Sequence, residues 1–98
     1  MDEDLPDKVK KQIAKQKLPR NGDEPFKPRL RSNRREQQVL ERKKVLLGPK
    51  KGEVGFVDIQ GRVWVKDAAH ANLPEHWDVQ IDDGKGYLRI DLDGKRLP

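Results

Sequence analysis

The sequence predicts an α+β protein: a small, twisted antiparallel β-sheet of at least four strands, preceded by a basic helical and Pro-rich extension. Three observations lead to this prediction. From Glu53 onward, apolar and polar residues alternate, which is typical of strands with one buried face. Near the amino end, two apolar residues four positions apart indicate a short helix. Finally, the positive charge is concentrated in the first half of the chain.

Length and composition limit the chain to one small domain. It has 98 residues, of which 33% are hydrophobic and 40% charged, and it contains no cysteine. Disulfides and thiolate metal sites are therefore excluded, and the core has to be apolar. No apolar run approaches the roughly 20 residues of a membrane span, and the amino end lacks the apolar block of a secretory signal. We therefore expect a soluble domain without a membrane-spanning segment.

The chain changes character at Lys50. Residues 1–50 hold 15 Lys and Arg against 8 Asp and Glu, whereas residues 51–98 hold 7 against 9. We predict a basic N-terminal extension with one or two short helices in residues 1–50 and the antiparallel sheet in residues 51–98. The net charge of +5 favours a polyanionic partner, and nucleic acid is the expected one.

The extension divides into two helices and a linker. Val9 and Ile13 share one helical face, and three prolines with an Asn-Gly pair make residues 18–28 an extended connector. An Asn-x-x-Glu capping box at Asn33 then predicts a second helix that runs through Lys43 and ends before Gly48-Pro49. Its basic residues either contact phosphates or only face solvent; they are Arg34, Arg35, Arg42, Lys43 and Lys44.

Four strands are predicted in the second half, arranged as two hairpins. A two-residue turn at Gln60-Gly61 joins residues 54–59 to 62–66, and a turn at Asp83-Gly84 joins residues 76–81 to 87–92.

The second hairpin has an apolar face and a polar face. Side chains alternate along a strand, so the apolar residues of both strands share the core side and their polar neighbours share the other. A solvated face usually carries Thr, Lys, Glu and Ser, so a face of His, Asp, Gln, Tyr and Arg favours a functional site. The predicted pairs are Asp78 with Arg89, Gln80 with Tyr87, and His76 with Asp91.

This set fits RNA cleavage, which needs a base for the 2′-hydroxyl proton, a positive group for the phosphate and an acid for the leaving oxygen. Asp78 or His76 provides the base and the acid, and Arg89 holds the phosphate. The scheme requires no metal and no cofactor. A metal-dependent nuclease is a weaker alternative, because two of its carboxylates lie at a turn where Asp is common; its ligands would be Asp78, Asp82, Asp83 and Asp91.

Two side chains outside this face, one tryptophan and one histidine, are also candidates for a functional role. Trp64, flanked by Arg62 and Lys66, either stacks on a base or is buried in the sheet. His70 lies among small residues with no charged neighbour beside it, so we interpret it as a structural or exposed residue.

The segment Trp77-Asp78-Val79-Gln80, followed by Gly86-Tyr87 and Asp93-Gly94-Lys95, resembles the nuclease tip of the ribosome-inactivating colicins and related RNase domains of bacterial polymorphic and contact-dependent inhibition toxins. The likeness covers residues 52–96, and the spacing from Asp78 to Tyr87 is the same as in the colicin tip. The resemblance implies a twisted antiparallel sheet with a basic extension and a metal-independent endoribonuclease. Asp78 takes the place of the family's catalytic Asp, and residues 51–98 would be the nuclease core.

Two departures from the family pattern change the expected site. Ile81 stands where the colicins have a His, and Lys85 where they have an acid. His76 is therefore our candidate for the missing imidazole, and Lys85 for an added phosphate contact. Ribosomal RNA is the expected target, with tRNA or messenger RNA as alternatives. The predicted catalytic residues are Asp78, His76 and Arg89, and the predicted substrate-binding residues are Trp64, Lys66, Gln80, Lys85 and Tyr87.

The resemblance also implies partners and a place of action. The domain would be secreted or delivered into a competing bacterium as the C-terminal part of a larger toxin, act in the target-cell cytoplasm, and be neutralised by an acidic immunity protein. A non-catalytic RNA- or ribosome-binding protein is the alternative, and toxicity on expression in bacteria separates the two. An immunity or antitoxin protein is disfavoured, because a protein that neutralises a basic nuclease is expected to be acidic.

Overall fold

The computed structural model describes residues 5–68 and 73–98 and confirms the predicted α+β class. His70 lies outside the described residues. The elements in chain order are α1 (Asp7–Gln16), β1 (Leu30–Ser32), β2 (Gln38–Leu40), β3 (Arg42–Lys44), β4 (Val54–Val57), β5 (Val63–Asp67), β6 (His76–Ile81) and β7 (Gly86–Asp91), with a 3₁₀ turn at Asp82–Gly84.

Five strands form the main sheet. β3 to β7 pair in chain order, and every pair is antiparallel. β1 and β2 form a separate antiparallel hairpin. Within the described ranges, no helix combines the length and the apolar character needed to cross a membrane.

Helix α1 covers one face of the main sheet. Its apolar residues Val9 and Ile13 are buried, as their i, i+4 spacing predicted. The helix ends at Lys17, which adopts a left-handed backbone conformation with φ 61°. The indole Nε1 of Trp77 donates a hydrogen bond of 3.2 Å to the Lys17 carbonyl. The helix end is thereby tied to β6, since this carbonyl has no partner within the helix.

The main core lies between α1 and the sheet and draws on both predicted parts of the chain. Phe26 packs edge-to-face on Trp64, with ring centroids 5.3 Å apart. The boundary predicted at residue 50 therefore does not separate an extension from a self-contained sheet. The buried members are Val9, Ile13, Leu18, Phe26 and Leu40 from the first part, and Trp64, Trp77, Val79 and Ile90 from the second.

The helix predicted from Asn33 to before Gly48 is wrong, because this segment forms the β1–β2 turn, β2, β3 and the first residues after β3. The Asn33 Oδ1 atom accepts hydrogen bonds from the backbone N–H groups of Arg35 (2.9 Å) and Gln37 (3.0 Å). Such bonds close an Asx turn instead of capping a helix. Leu40 is buried in the core, so strand pairing and burial outweigh the local helix signal.

The turn between β4 and β5 is longer than the two residues predicted. Val57 pairs with Val63, so the connection spans residues 58–62. Asp58 begins it, and its Oδ1 atom accepts hydrogen bonds from the backbone N–H groups of Gln60 and Arg62, both at 2.9 Å. The carboxylate thus organises a wider turn than a Gln-Gly pair alone predicts.

The predicted limits of β6 and its register with β7 are confirmed. Asp78 lies opposite Arg89, Gln80 opposite Tyr87 and His76 opposite Asp91. The connection itself is a 3₁₀ turn followed by Lys85, not a two-residue turn. Because the register depends only on the number of residues in the connection, it survives the change of turn type.

The polar face of β6 is covered by another segment of the chain. Residues 45–53, here called the β3–β4 loop, fold over this face, and the loop residue Val45 is buried against Val57, Val63 and Val65. The Leu47 N–H donates a 2.9 Å hydrogen bond to the Asp83 carbonyl, which ties the loop to the 3₁₀ turn. The exposed fractions of the polar residues are small: His76 0%, Asp78 5% and Gln80 2%.

Candidate active site

A cavity of about 170 Å³ opens where the β3–β4 loop meets the polar face of β6 and β7. Four of the eight predicted site residues line it, because the β6–β7 register places them side by side. Two more charged residues come from the loop and from the end of β5. The functional side chains that line the cavity are Lys50, Asp67, Asp78, Gln80, Tyr87 and Arg89.

Lys50 brings a positive charge to the acidic side of the cavity. Its Nζ lies 3.4 Å from Asp67 Oδ2, 3.5 Å from Asp78 Oδ2 and 3.8 Å from Glu53 Oε2. Partial burial opposes the charge, but the attraction of the three carboxylates outweighs it and raises the pKa of Lys50. The side chain therefore stays an ammonium at neutral pH.

The two aspartates differ in how strongly they hold a proton. Burial raises the pKa of Asp78, and the opposing attraction of His76 and Lys50 is too weak to cancel the effect. Burial also acts on Asp67, but the charge and hydrogen bond of Lys50 dominate there and lower its pKa. Asp67 is thus a fixed negative charge, whereas Asp78 has the higher proton affinity that a general base needs.

His76 lies behind the aspartates and does not line the cavity. Its side chain is fully buried, with Nε2 3.4 Å from Asp78 Oδ1 and 3.6 Å from Asp67 Oδ2. The Nδ1 atom is 2.8 Å from the Pro74 carbonyl, which can only accept, so Nδ1 carries a proton. The prediction that His76 faces the scissile phosphate is therefore corrected. The imidazole contacts Asp78 from the buried side, away from the cavity.

Arg89 and Tyr87 form the open side of the cavity. The guanidinium carbon of Arg89 lies 5.8 Å from the centre of the Tyr87 ring, within the range of a cation–π contact. Arg89 makes no ion pair with any acidic side chain in residues 5–68 and 73–98, so its charge is available to an anionic ligand. Tyr87 is 45% exposed, which leaves a ring face accessible to a stacked base.

Three predicted substrate-binding residues lie elsewhere. Trp64 is 0% exposed on the helix side of the sheet and donates a 2.9 Å hydrogen bond to Asp58 Oδ2, so it offers no face to a base. Lys66 donates to the Gln16 carbonyl at 3.1 Å, again on the helix side. Lys85 is exposed after the 3₁₀ turn and does not line the cavity.

Sequence reasoning missed Lys50 and Asp67. Asp67 continues the alternation of Val63 and Val65 and pairs with His76, so extending the β5 pattern by one strand step would have found it. Lys50 has no such signal, since a loop fold brings it to the site.

One group of side chains has the composition and spacing of a metal site. Asp67, His76 and Asp78 each place one ligand atom within 4.8 Å of the others. Of the carboxylates in the alternative metal-dependent scheme, only Asp78 belongs to this group. Asp82 and Asp83 are exposed in the 3₁₀ turn, and Asp83 pairs with Lys43 at 3.1 Å. The Asp91 Oδ1 atom accepts hydrogen bonds from the backbone N–H groups of Asp93 and Lys95.

Comparisons with known proteins leave the site to be interpreted from its own chemistry. No protein-family model matches the chain, and neither the curated proteins nor the solved structures gave a match.

Proposed function

We propose that this protein is an endoribonuclease that cleaves RNA without a metal, by attack of the ribose 2′-hydroxyl on the neighbouring phosphate. The observation that carries the proposal is the cavity itself. It combines a carboxylate of raised pKa, Asp78, with two cations, Lys50 and Arg89, around a space open to solvent. A base beside paired positive charges is the arrangement that phosphodiester cleavage by a 2′-hydroxyl requires.

Asp78 acts as the general base. Its carboxylate takes the proton of the 2′-hydroxyl as the bond from the 2′-oxygen to phosphorus forms. The bond from phosphorus to the 5′-oxygen breaks, a 2′,3′-cyclic phosphate results, and the 5′-oxygen takes a proton from solvent. Lys50 and Arg89 offset the negative charge that grows on the phosphate oxygens.

His76 serves as a positioning residue. It contacts Asp78 Oδ1 at 3.4 Å from the buried side, and the Pro74 carbonyl holds its ring. We therefore expect His76→Gln to lower kcat while leaving KM nearly unchanged, because the imidazole acts on Asp78 and does not touch RNA.

The RNA strand would leave the cavity along the carboxy-terminal segment. A groove of about 270 Å³ adjoins the cavity, shares Tyr87 and Arg89 with it, and ends at Arg96 and Pro98. Tyr87 provides a surface on which a base can stack, and the side chains of Arg89 and Arg96 provide positive charge along the path of the RNA backbone. The exposed basic strand β3, Arg42–Lys44, adds charge for phosphate contacts at the far edge of the sheet.

The cellular role rests on the resemblance to colicin and polymorphic-toxin nucleases. In this proposal the domain is the C-terminal part of a larger secreted or delivered antibacterial toxin and acts in the target-cell cytoplasm. Ribosomal RNA is the first substrate to test and tRNA the second. A cognate immunity protein would be acidic, since it has to cover a basic surface.

The test is incubation of the purified protein with intact ribosomes and with total RNA in EDTA. We expect cleavage at defined positions with 2′,3′-cyclic phosphate ends, and no cleavage by Asp78→Asn. Arg89→Ala should raise KM strongly, whereas Lys85→Ala, which removes a cation outside the cavity, should not. RNA binding without cleavage would support a non-catalytic RNA- or ribosome-binding protein, and activity only with added metal would overturn the metal-independent scheme.

A further inference from the structure

Asp67, His76 and Asp78 converge from two neighbouring strands on one buried point. β5 ends with Asp67 directly opposite His76, and Asp78 lies one strand step further on the same face. The His76 Nε2 atom is 3.4 Å from Asp78 Oδ1 and 3.6 Å from Asp67 Oδ2. Ligands of a tetrahedral Zn²⁺ at about 2.0–2.1 Å from the metal lie roughly 3.3–3.4 Å from one another, so small side-chain shifts suffice to admit the ion.

The orientation of His76 is that of a metal ligand. Its Nδ1–H donates to the Pro74 carbonyl at 2.8 Å, so the second ring nitrogen, Nε2, is the atom that faces the two carboxylates. Metal-ligating histidines are held in this way by a hydrogen bond at the second ring nitrogen. A lone pair facing carboxylate oxygens is unfavourable unless a proton or a metal ion lies between them.

Two buried acceptors on the same face of β6 add to this observation, and one of them belongs to Asp78 itself. Asp78 Oδ1 and Gln80 Oε1 are both buried and accept no hydrogen bond from the part of the chain that the structure describes. Gln80 is 2% exposed and lines the same cavity as Asp67 and Asp78. Buried oxygens without donors are rare in folded proteins and often mark an ion or water site.

We propose that Asp67, His76 and Asp78 form a binding site for one divalent transition-metal ion, with Zn²⁺ as the best fit. One imidazole and two carboxylates suit Zn²⁺ better than the all-oxygen ions Mg²⁺ and Ca²⁺. Three protein ligands leave one position for water, which the adjoining cavity supplies.

Lys50 competes with the metal ion. Its ammonium lies 3.4 Å from Asp67 Oδ2 and 3.5 Å from Asp78 Oδ2, so it neutralises the same carboxylates that a metal would use. Metal binding has to displace Lys50 or work against its charge, and removing that charge should tighten binding.

The metal would also inhibit the proposed nuclease, because a metal-bound Asp78 cannot take a proton. This consequence rests on the proposed function, whereas the metal site itself does not. Loss of RNA cleavage on addition of Zn²⁺, reversed by EDTA, would link the two.

The site is tested on the full chain by Zn²⁺ titration calorimetry, with ¹⁵N NMR of the imidazoles as the second readout. We expect one Zn²⁺ per chain and a shift of the His76 Nε2 resonance. Asp67→Asn and His76→Ala should each weaken binding by at least about tenfold, while Lys50→Gln should strengthen it. Asp83→Asn, which removes an exposed carboxylate elsewhere, is the matched control and should bind like wild type.

The outcomes separate this proposal from the nuclease proposal. If Zn²⁺ binds wild type and Asp67→Asn equally, or leaves the His76 Nε2 resonance unmoved, the metal site is overturned. Should Lys50→Gln weaken binding, the competition is overturned. Zn²⁺ binding by a protein that does not cleave RNA would support the metal-site proposal and overturn the nuclease proposal.

Discussion

Two buried aspartates in this sheet differ in how their charge is satisfied. Asp58, 1% exposed, accepts hydrogen bonds from two backbone N–H groups, from Arg62 Nε at 2.8 Å and from Trp64 Nε1 at 2.9 Å. Asp78 is 5% exposed and has a raised pKa, and its Oδ1 atom accepts no hydrogen bond from residues 5–68 and 73–98. A fully bonded buried carboxylate stabilises a fold, whereas a poorly bonded one opposes it.

The first prediction follows from this contrast. Asp78→Asn should keep or raise the melting temperature, because it removes a poorly solvated charge. The Lys50 ammonium still has two carboxylate partners in this variant, Asp67 and Glu53. Asp58→Asn should lower the free energy of unfolding by about 1.5–3 kcal/mol, since hydrogen bonds to a charged acceptor are lost. Urea denaturation of both variants checks this, and a large loss for Asp78→Asn would show that its charge stabilises the sheet. Asn is preferred to Ala at this buried position because Ala would leave a cavity.

At the level of elements, the β3–β4 loop decides the shape of the site, since it carries Lys50 and covers β6. The backbones of Leu47 and Gly48 in this loop pack closely against Gly84 of the 3₁₀ turn. A Cβ atom on Gly84 would collide with the Leu47 carbonyl oxygen, and the φ angle of Gly84 is +111°. Glycine is required there both for the backbone conformation and for the close contact.

The second prediction separates these two reasons. Gly52→Ala places a side chain at a similar φ of +92°, but the added Cβ atom meets no atom of residues 5–68 and 73–98 within 4 Å. It should therefore cost only the left-handed strain of about 1–2 kcal/mol. Gly84→Ala should cost about 2–4 kcal/mol more, because the loop has to lift from the 3₁₀ turn. Thermal unfolding of both variants is the measurement. Equal losses would mean that the loop does not need this contact.

At the level of the whole molecule, the first 50 residues are part of the fold. Helix α1 closes the core over Trp64 and Trp77, strand β3 is the first strand of the main sheet, and Lys50 lines the cavity. A sheet cut free at residue 53 would expose two buried tryptophans, so removing residues 1–50 is expected to unfold the protein and not merely to weaken RNA binding.

The third prediction tests this dependence with a single substitution. Ile13→Ala should lower the free energy of unfolding by about 2–5 kcal/mol, because a buried side chain is truncated inside a shared core. The exposed neighbour Lys11 is the control, and Lys11→Ala should stay within about 0.5 kcal/mol of wild type. Tryptophan fluorescence during urea unfolding reports on the sheet directly. An unchanged transition for Ile13→Ala would show that the sheet is stable without the helix.

The fourth prediction concerns acid stability and a contact between the two halves of the chain. Glu24 accepts a hydrogen bond of 2.6 Å from Arg96 Nη2 and one of 3.3 Å from Arg62 Nη1. The bond from Arg96, with that from Arg62 and the attraction of both cations, lowers the pKa of Glu24 below its ordinary 4.5 against the opposing effect of burial. The folded state therefore gains stability above pH 4.5 and loses it as the pH falls through the lowered pKa.

Glu24→Gln should accordingly be less stable than wild type at pH 7, and the difference should shrink as the solution is acidified below pH 4.5. Glu36→Gln, which changes an exposed glutamate in the β1–β2 turn, is the control and should follow the wild-type profile. Unfolding free energies measured from pH 7 to pH 3 check this. A constant gap between Glu24→Gln and wild type would contradict the ion-pair explanation.

The sequence by itself determined the α+β class, the limits of β6 and the partners of β6 in β7. It did so because strand alternation and the number of residues in one short connection depend only on neighbouring residues. The same rules gathered Asp78, Gln80, Tyr87 and Arg89 on one face, which is the strand part of the candidate site.

Only the tertiary structure decided what covers that face. Local patterns do not encode contacts between segments that are far apart in sequence. Such contacts determine the position of Lys50 beside the aspartates, the burial of His76 and the strand conformation of residues 38–44. Leu40 shows the reason: its segment has a helix signal at Asn33, but burial in the shared core stabilises the strand more than a cap stabilises a short helix.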